Sequence, residues 1–96
     1  MVYWVEVKAN NFIARRWMRR NYDSLSSEFQ DTTSKYLGQG NLASSKSRRY
    51  RYYFSTGAND QADAANTRDT LDKIISNRKH PWGIEVKVQS RELQGY

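Results

Sequence analysis

Asn10-Asn11-Phe12-Ile13-Ala14-Arg15-Arg16-Trp17-Met18-Arg19-Arg20-Asn21-Tyr22-Asp23-Ser24-Leu25 is the stretch on which the fold turns. From Met18 onward, apolar residues fall at Met18, Tyr22, Leu25, Phe29 and Tyr36, and these steps of 4, 3, 4 and 7 trace one face of a helix. Phe12, Ile13 and Trp17 lie off that face. Either a single helix starts near Asn11 and carries a broad apolar surface, or residues 12–19 form a strand and the helix starts near Asp23. The single helix is the preferred reading. Asn10-Asn11 before it serves as a hairpin turn or a helix N-cap.

Upstream, Tyr3, Val5 and Val7 alternate with Trp4, Glu6 and Lys8, the period of a half-buried strand. Downstream, residues 38–47 are small and polar and read as a flexible loop. Arg48 to Ser55 reads as a second strand, with Tyr50, Tyr52 and Phe54 on one face and Arg49, Arg51 and Tyr53 on the other. After Gly57, Asn59 or Asp60 caps a helix running to about Asn77, with an inner stripe of Ala64, Thr67 or Arg68, Leu71, Ile74 and Ile75. Pro81 terminates it, and Trp82 to Ser90 forms the last strand, with Ile84, Val86 and Val88 inward and Trp82 as a core or edge plug. This order predicts one α+β domain over residues 1–96. Its small antiparallel or mixed sheet has three to four strands with two helices packed on one face, a ferredoxin-like (split β-α-β) arrangement. A fourth strand would come from residues 12–19 or 38–47.

Composition narrows the chemistry. With no cysteine and one histidine, His80, the chain holds no disulfide framework or thiolate metal site, and neither a metal nor a cofactor is expected. No apolar run approaches the ~18 residues of a membrane span, and the N-terminus lacks a signal-peptide pattern, so a cytoplasmic protein without membrane contact is expected. The sequence contains no H-E-x-x-H, no phosphate-binding glycine loop and no Cys–His pairing, so no catalytic residue is assigned and no enzymatic activity is expected. A metal nuclease assembled from scattered carboxylates is the one catalytic alternative. Ser55 to Asp60 reads as a turn and N-cap, since Asp60 and Asp63 would repel a phosphate.

The charge points to a partner. Residues 1–54 hold ten Lys/Arg and four Asp/Glu, and residues 55–96 six of each, so the whole net charge of +6 lies in the first part. That asymmetry favours a polyanion, RNA or single-stranded DNA ahead of duplex DNA. On a helix, Arg15, Arg16, Arg19 and Arg20 form a stripe about 140° wide, suited to phosphate oxygens. Lys46, Arg48, Arg49 and Arg51 interleave with aromatics, and Tyr53 and Trp4 become stacking platforms if the outward sheet face is exposed. Trp17 is a further candidate if it lies outside the core. The bland readings are a solvated helix face and simple strand amphipathicity, with Arg49 and Arg51 pairing across the sheet with Glu6 or Glu85.

Val2-Tyr3-Trp4-Val5 resembles the first-strand signature of the RNA-recognition motif, and Arg48-Arg49-Tyr50-Arg51-Tyr52-Tyr53 its third-strand signature of alternating exposed aromatics. The resemblance implies RNA stacked on the sheet. Two small residues of the family's signature are Arg49 and Arg51 here, and exposing Tyr50 and Tyr52 would turn Arg51 into the core. It is an analogy spanning about a dozen residues. The competing expectation is a protein-interaction module: a subunit of a larger assembly, a homodimer, or a compact inhibitor encoded by a virus or mobile element.

Overall fold

The computed structural model describes residues 3–33 and 50–90. Along them run β1 (Tyr3–Ala9), α1 (Phe12–Thr33), β2 (Arg51–Ser55), α2 (Gln61–Ser76) and β3 (Ile84–Ser90). The fold is α+β. β1 is central and antiparallel to both neighbours in the order β2-β1-β3, and both helices pack against this three-stranded sheet.

The ambiguous stretch is helix from Phe12, so the strand alternative for residues 12–19 is overturned. Two features enforce this. Asn11 caps the helix, its Oδ1 accepting from the Ala14 N–H at 2.8 Å, which satisfies one of the orphan donors of the first turn. Ala14 also extends the buried row to Ala14, Met18, Tyr22, Leu25 and Phe29, so the core-facing stripe begins at the first turn. A strand over 12–19 would have forced arginines into the core on one face or the other. The other proposed source of a fourth strand, residues 38–47, lies outside the described residues, as does the proposed loop there.

One core joins these elements. Val5, Val7 and Ala9 of β1 and Tyr52 and Phe54 of β2 meet the α1 row and Leu71, Ile74 and Ile75 of α2. Tyr22 is the hinge of this packing: its ring lies 5.0 Å from Phe54 and 5.9 Å from Tyr52, and its hydroxyl donates to the Tyr53 carbonyl at 2.8 Å. Of the two sheet aromatics that the RNA-recognition analogy would expose, Tyr52 faces the helices and is 2% exposed, and Tyr50 is half-buried against the same core. α2 follows its expected bounds. Asp60 caps it by accepting from the Asp63 N–H at 2.8 Å, and its buried stripe is Ala64, Thr67, Leu71, Ile74 and Ile75.

Both outer strands begin later than the alternation suggests. Tyr50 has φ 66°, a left-handed conformation that breaks the extended run, so β2 starts at Arg51. Gly83 has φ 99°, and β3 starts at Ile84. Trp82 consequently falls outside the strand. It is 84% exposed, which corrects its reading as a core or edge plug. On the outer edge of β3, the Arg68 guanidinium donates to the Val86 carbonyl at 3.2 and 3.1 Å, occupying an acceptor an edge strand would otherwise present.

Candidate functional site

The sheet face turned away from the helices carries Trp4, Glu6, Tyr53 and Arg51. Trp4 and Tyr53 are diagonal cross-strand neighbours, since Trp4 pairs with Ser55. Their ring centroids are 4.1 Å apart, and each residue is only 6% exposed. They stack on each other, so neither is the open platform expected of it. Arg51 Nε lies 3.5 Å from Glu6 Oε2, which is the cross-strand pairing of the bland reading. The β1–β3 register also sets Glu6 opposite Lys87 and Lys8 opposite Glu85. Among the described residues this face sets two carboxylates, Glu6 and Glu85, among three cations, Lys8, Arg51 and Lys87, and its aromatics are engaged. Lys46, Arg48 and Arg49 lie outside the described residues.

The N-terminal half of α1 is different. At about 100° per residue, Arg16 and Arg20 point directly away from the buried row, with Arg19 beside them. All three are exposed and line one shallow depression of 280 Å³. No carboxylate among the described residues pairs with them. Arg15 does not belong to this open group. It is half-buried, its guanidinium sits 3.9 Å above the Tyr50 ring, and its Nε is buried without a hydrogen-bond partner, so the π face is its electrostatic counterpart. The Tyr52 hydroxyl reaches the Arg15 carbonyl at 3.5 Å. Burial raises the Tyr52 phenol above the ordinary tyrosine range, and the cations Arg19 and Arg15 oppose that rise.

Sequence reading missed the apolar side of the same surface. Phe12 is 60% and Ile13 64% exposed, and with Asn11, Pro81 and Trp82 they line a cleft of 460 Å³. The cleft is built, since polar contacts hold both of its walls. Asn11 Nδ2 donates to the Trp82 carbonyl at 3.2 Å while the same side chain caps α1, and the Asn10 N–H donates to the Gly83 carbonyl at 2.7 Å. A Cβ at Gly83 would collide with the Asn11 side-chain nitrogen. Trp17, half-buried on the flank of α1, donates its indole N–H to the Lys79 carbonyl at 2.8 Å and meets His80 edge-on. The apolar and basic parts join at Phe12, whose ring lies 5.5 Å from the Arg16 guanidinium. The signal was present in the sequence, since Phe12 and Ile13 fall off the helical stripe and Trp82 stands between proline and glycine.

Among the described residues, no group of three or more His, Cys, Asp or Glu side chains is placed to hold a metal ion, and no helix is long and apolar enough to cross a membrane. Compared with known protein families, curated proteins and solved structures, the chain matches none.

Proposed function

We propose that this is a non-enzymatic nucleic-acid-binding protein, acting without a cofactor in the cytoplasm, whose phosphate contacts are Arg16, Arg19 and Arg20. The observation that carries the reading is three exposed guanidiniums in one depression with no carboxylate partner among the described residues. Arg16 and Arg20, at i and i+4, repel each other by a few tenths of a kcal/mol. A cluster with an unfavourable self-energy suits an anionic ligand that relieves it.

The ferredoxin-like reading belongs to the same proposal. It is supported by β2 and β3 flanking β1, with α2 as the connection between them.

The test is binding of labelled single- and double-stranded RNA and DNA across a salt series. Affinity should fall steeply with salt. Changing Arg16, Arg19 and Arg20 together to alanine should reduce the log–log slope by roughly 2–3. No binding at low salt would sink the reading.

A second reading, a protein-interaction module such as a complex subunit or a virus- or mobile-element-encoded inhibitor, is favoured by one observation. Trp82, Phe12 and Ile13 are exposed beside arginines, and Trp and Arg dominate interface hot spots.

A further inference from the structure

We propose that the cleft formed by Phe12, Ile13 and Trp82 is a base-stacking subsite, so that the surface takes single-stranded nucleic acid with its bases unpaired. This rests on the phosphate-binding reading of Arg16, Arg19 and Arg20 and deepens it.

The argument starts from what Trp82 does for the fold. At 84% exposure it buries almost nothing, and its backbone carbonyl, rather than its ring, receives the bond from Asn11. Yet its position is over-determined, because Asn10 and Asn11 bond to residues 82 and 83, Gly83 adopts a backbone that other residues rarely take, and Trp17 anchors residue 79. A large flat apolar ring carried into water on a fixed backbone is presented to a ligand at a set place, and the backbone loses little entropy when the ring is covered.

The chemistry of that ligand follows from the neighbours. Phe12, Ile13 and Trp82 together expose on the order of 400 Å² of apolar surface. A standard protein interface takes about 800 Å² from each partner. The remainder of such a footprint on this side would fall on Arg16, Arg19 and Arg20. The occupant must therefore offer flat apolar faces and a repeated negative charge within a few ångströms of each other. Unpaired nucleotides have this constitution. In a duplex the base faces are hidden in the stack, so only the phosphates would remain to bind.

The experiment titrates the intact chain with oligo-dT and oligo-U, and with a duplex of the same length, at one salt concentration. Intrinsic tryptophan fluorescence and labelled-oligonucleotide anisotropy are the two readouts. Trp4 is 6% exposed and Trp17 is half-buried with its indole N–H donated within the protein, so Trp82 is the fluorophore most open to a base. The expected result is quenching by single strands. Trp82→Ala should lose that quenching and bind single strands roughly 5- to 100-fold more weakly, with duplex binding and the salt slope unchanged. Trp82→Phe should recover most of the affinity. Being so exposed, Trp82 can be changed without unfolding the chain, which a thermal melt verifies.

Equal single-strand affinity for wild type and Trp82→Ala, alongside a loss in the triple arginine variant, would overturn the stacking subsite and leave the phosphate reading standing. No oligonucleotide binding by wild type would overturn both. In that case, a blue shift of tryptophan emission with vesicles containing anionic phospholipid, or self-association abolished by Trp82→Ala, would assign the cleft to a membrane surface or to a second copy.

Discussion

The outward face of the sheet and the N-terminal half of α1 contain the same ingredients, arginine beside aromatic rings, and arrive at opposite outcomes. On the sheet, cross-strand geometry brings Trp4 onto Tyr53 and Glu6 within 3.5 Å of Arg51, so rings and charges satisfy one another. On α1, helical geometry points Arg16 and Arg20 away from everything the fold builds. Trp82, in the cleft it shares with Phe12, stands 84% exposed. Arginine–aromatic composition thus does not define a binding surface. What matters is whether the backbone delivers an internal partner to each group. A sheet does so every second residue, whereas the outer face of a helix delivers the neighbours three and four positions away, which here are largely other arginines, with Asp23 the one carboxylate within that reach of Arg19 and Arg20.

The sharpest way to break this contrast is to make one change in each region. Trp4→Ala should cost about 3–5 kcal/mol in urea unfolding, the usual loss for a buried large aromatic. Trp82→Ala should stay within about 0.5 kcal/mol of wild type. Equal losses would show that the two tryptophans are not divided into fold and surface.

The arginines offer the next test. Alanine at Arg16, Arg19 and Arg20 together should weaken oligonucleotide binding by roughly 100-fold at low salt while leaving thermal stability unchanged or slightly raised, because their mutual repulsion is relieved. Arg51→Ala, removing a cation already paired with Glu6 on its cross-strand diagonal, should change affinity by less than about threefold. Comparable losses would place the sheet face back in the interface.

A smaller effect is expected at the frame that joins α1 to the turn before β3. Asn11→Ala removes the helix cap and the bond to the Trp82 carbonyl, and should cost about 1–2 kcal/mol of stability in thermal melts. It should also weaken single-strand binding through the displaced Trp82. Stability loss without any binding loss would mean that the cleft is not part of the site.

The smallest effect is titration of Tyr52. Its phenol pKa is raised in the folded protein by burial, so between the ordinary tyrosine value near 10 and the raised one the folded state holds a proton that the unfolded state has lost. This contribution to stability is fully present below pH ~10 and is lost as pH rises through the folded value. Melting temperature should therefore fall above pH ~10, and Tyr52→Phe should flatten that decline relative to wild type.

Much of the architecture was readable from periodicity. α2 and its buried stripe, the inward triplet of β3 and the α1 row from Met18 follow from the spacing of apolar residues, because burial on one face leaves a local imprint, while the structure chose Asp60 over Asn59 as the cap of α2. The strand starts were misread because the alternation ran on through Tyr50 and Trp82, where positive φ at Tyr50 and Gly83 turns the chain. Side-chain alternation carries no mark of a backbone angle.

For the site, the sequence by itself determined the charge asymmetry, the run of arginines between residues 15 and 20 and the lack of cysteine, since these are matters of composition. Only the tertiary structure decided which arginines remain open and which aromatics are closed. Arg15 is drawn over Tyr50, Tyr53 is closed by Trp4, and Trp82 is brought beside Phe12 from 70 positions along the chain. Local sequence sets the face on which a side chain leaves its own helix or strand. Whether that face meets a partner depends on which distant element the core packs opposite it.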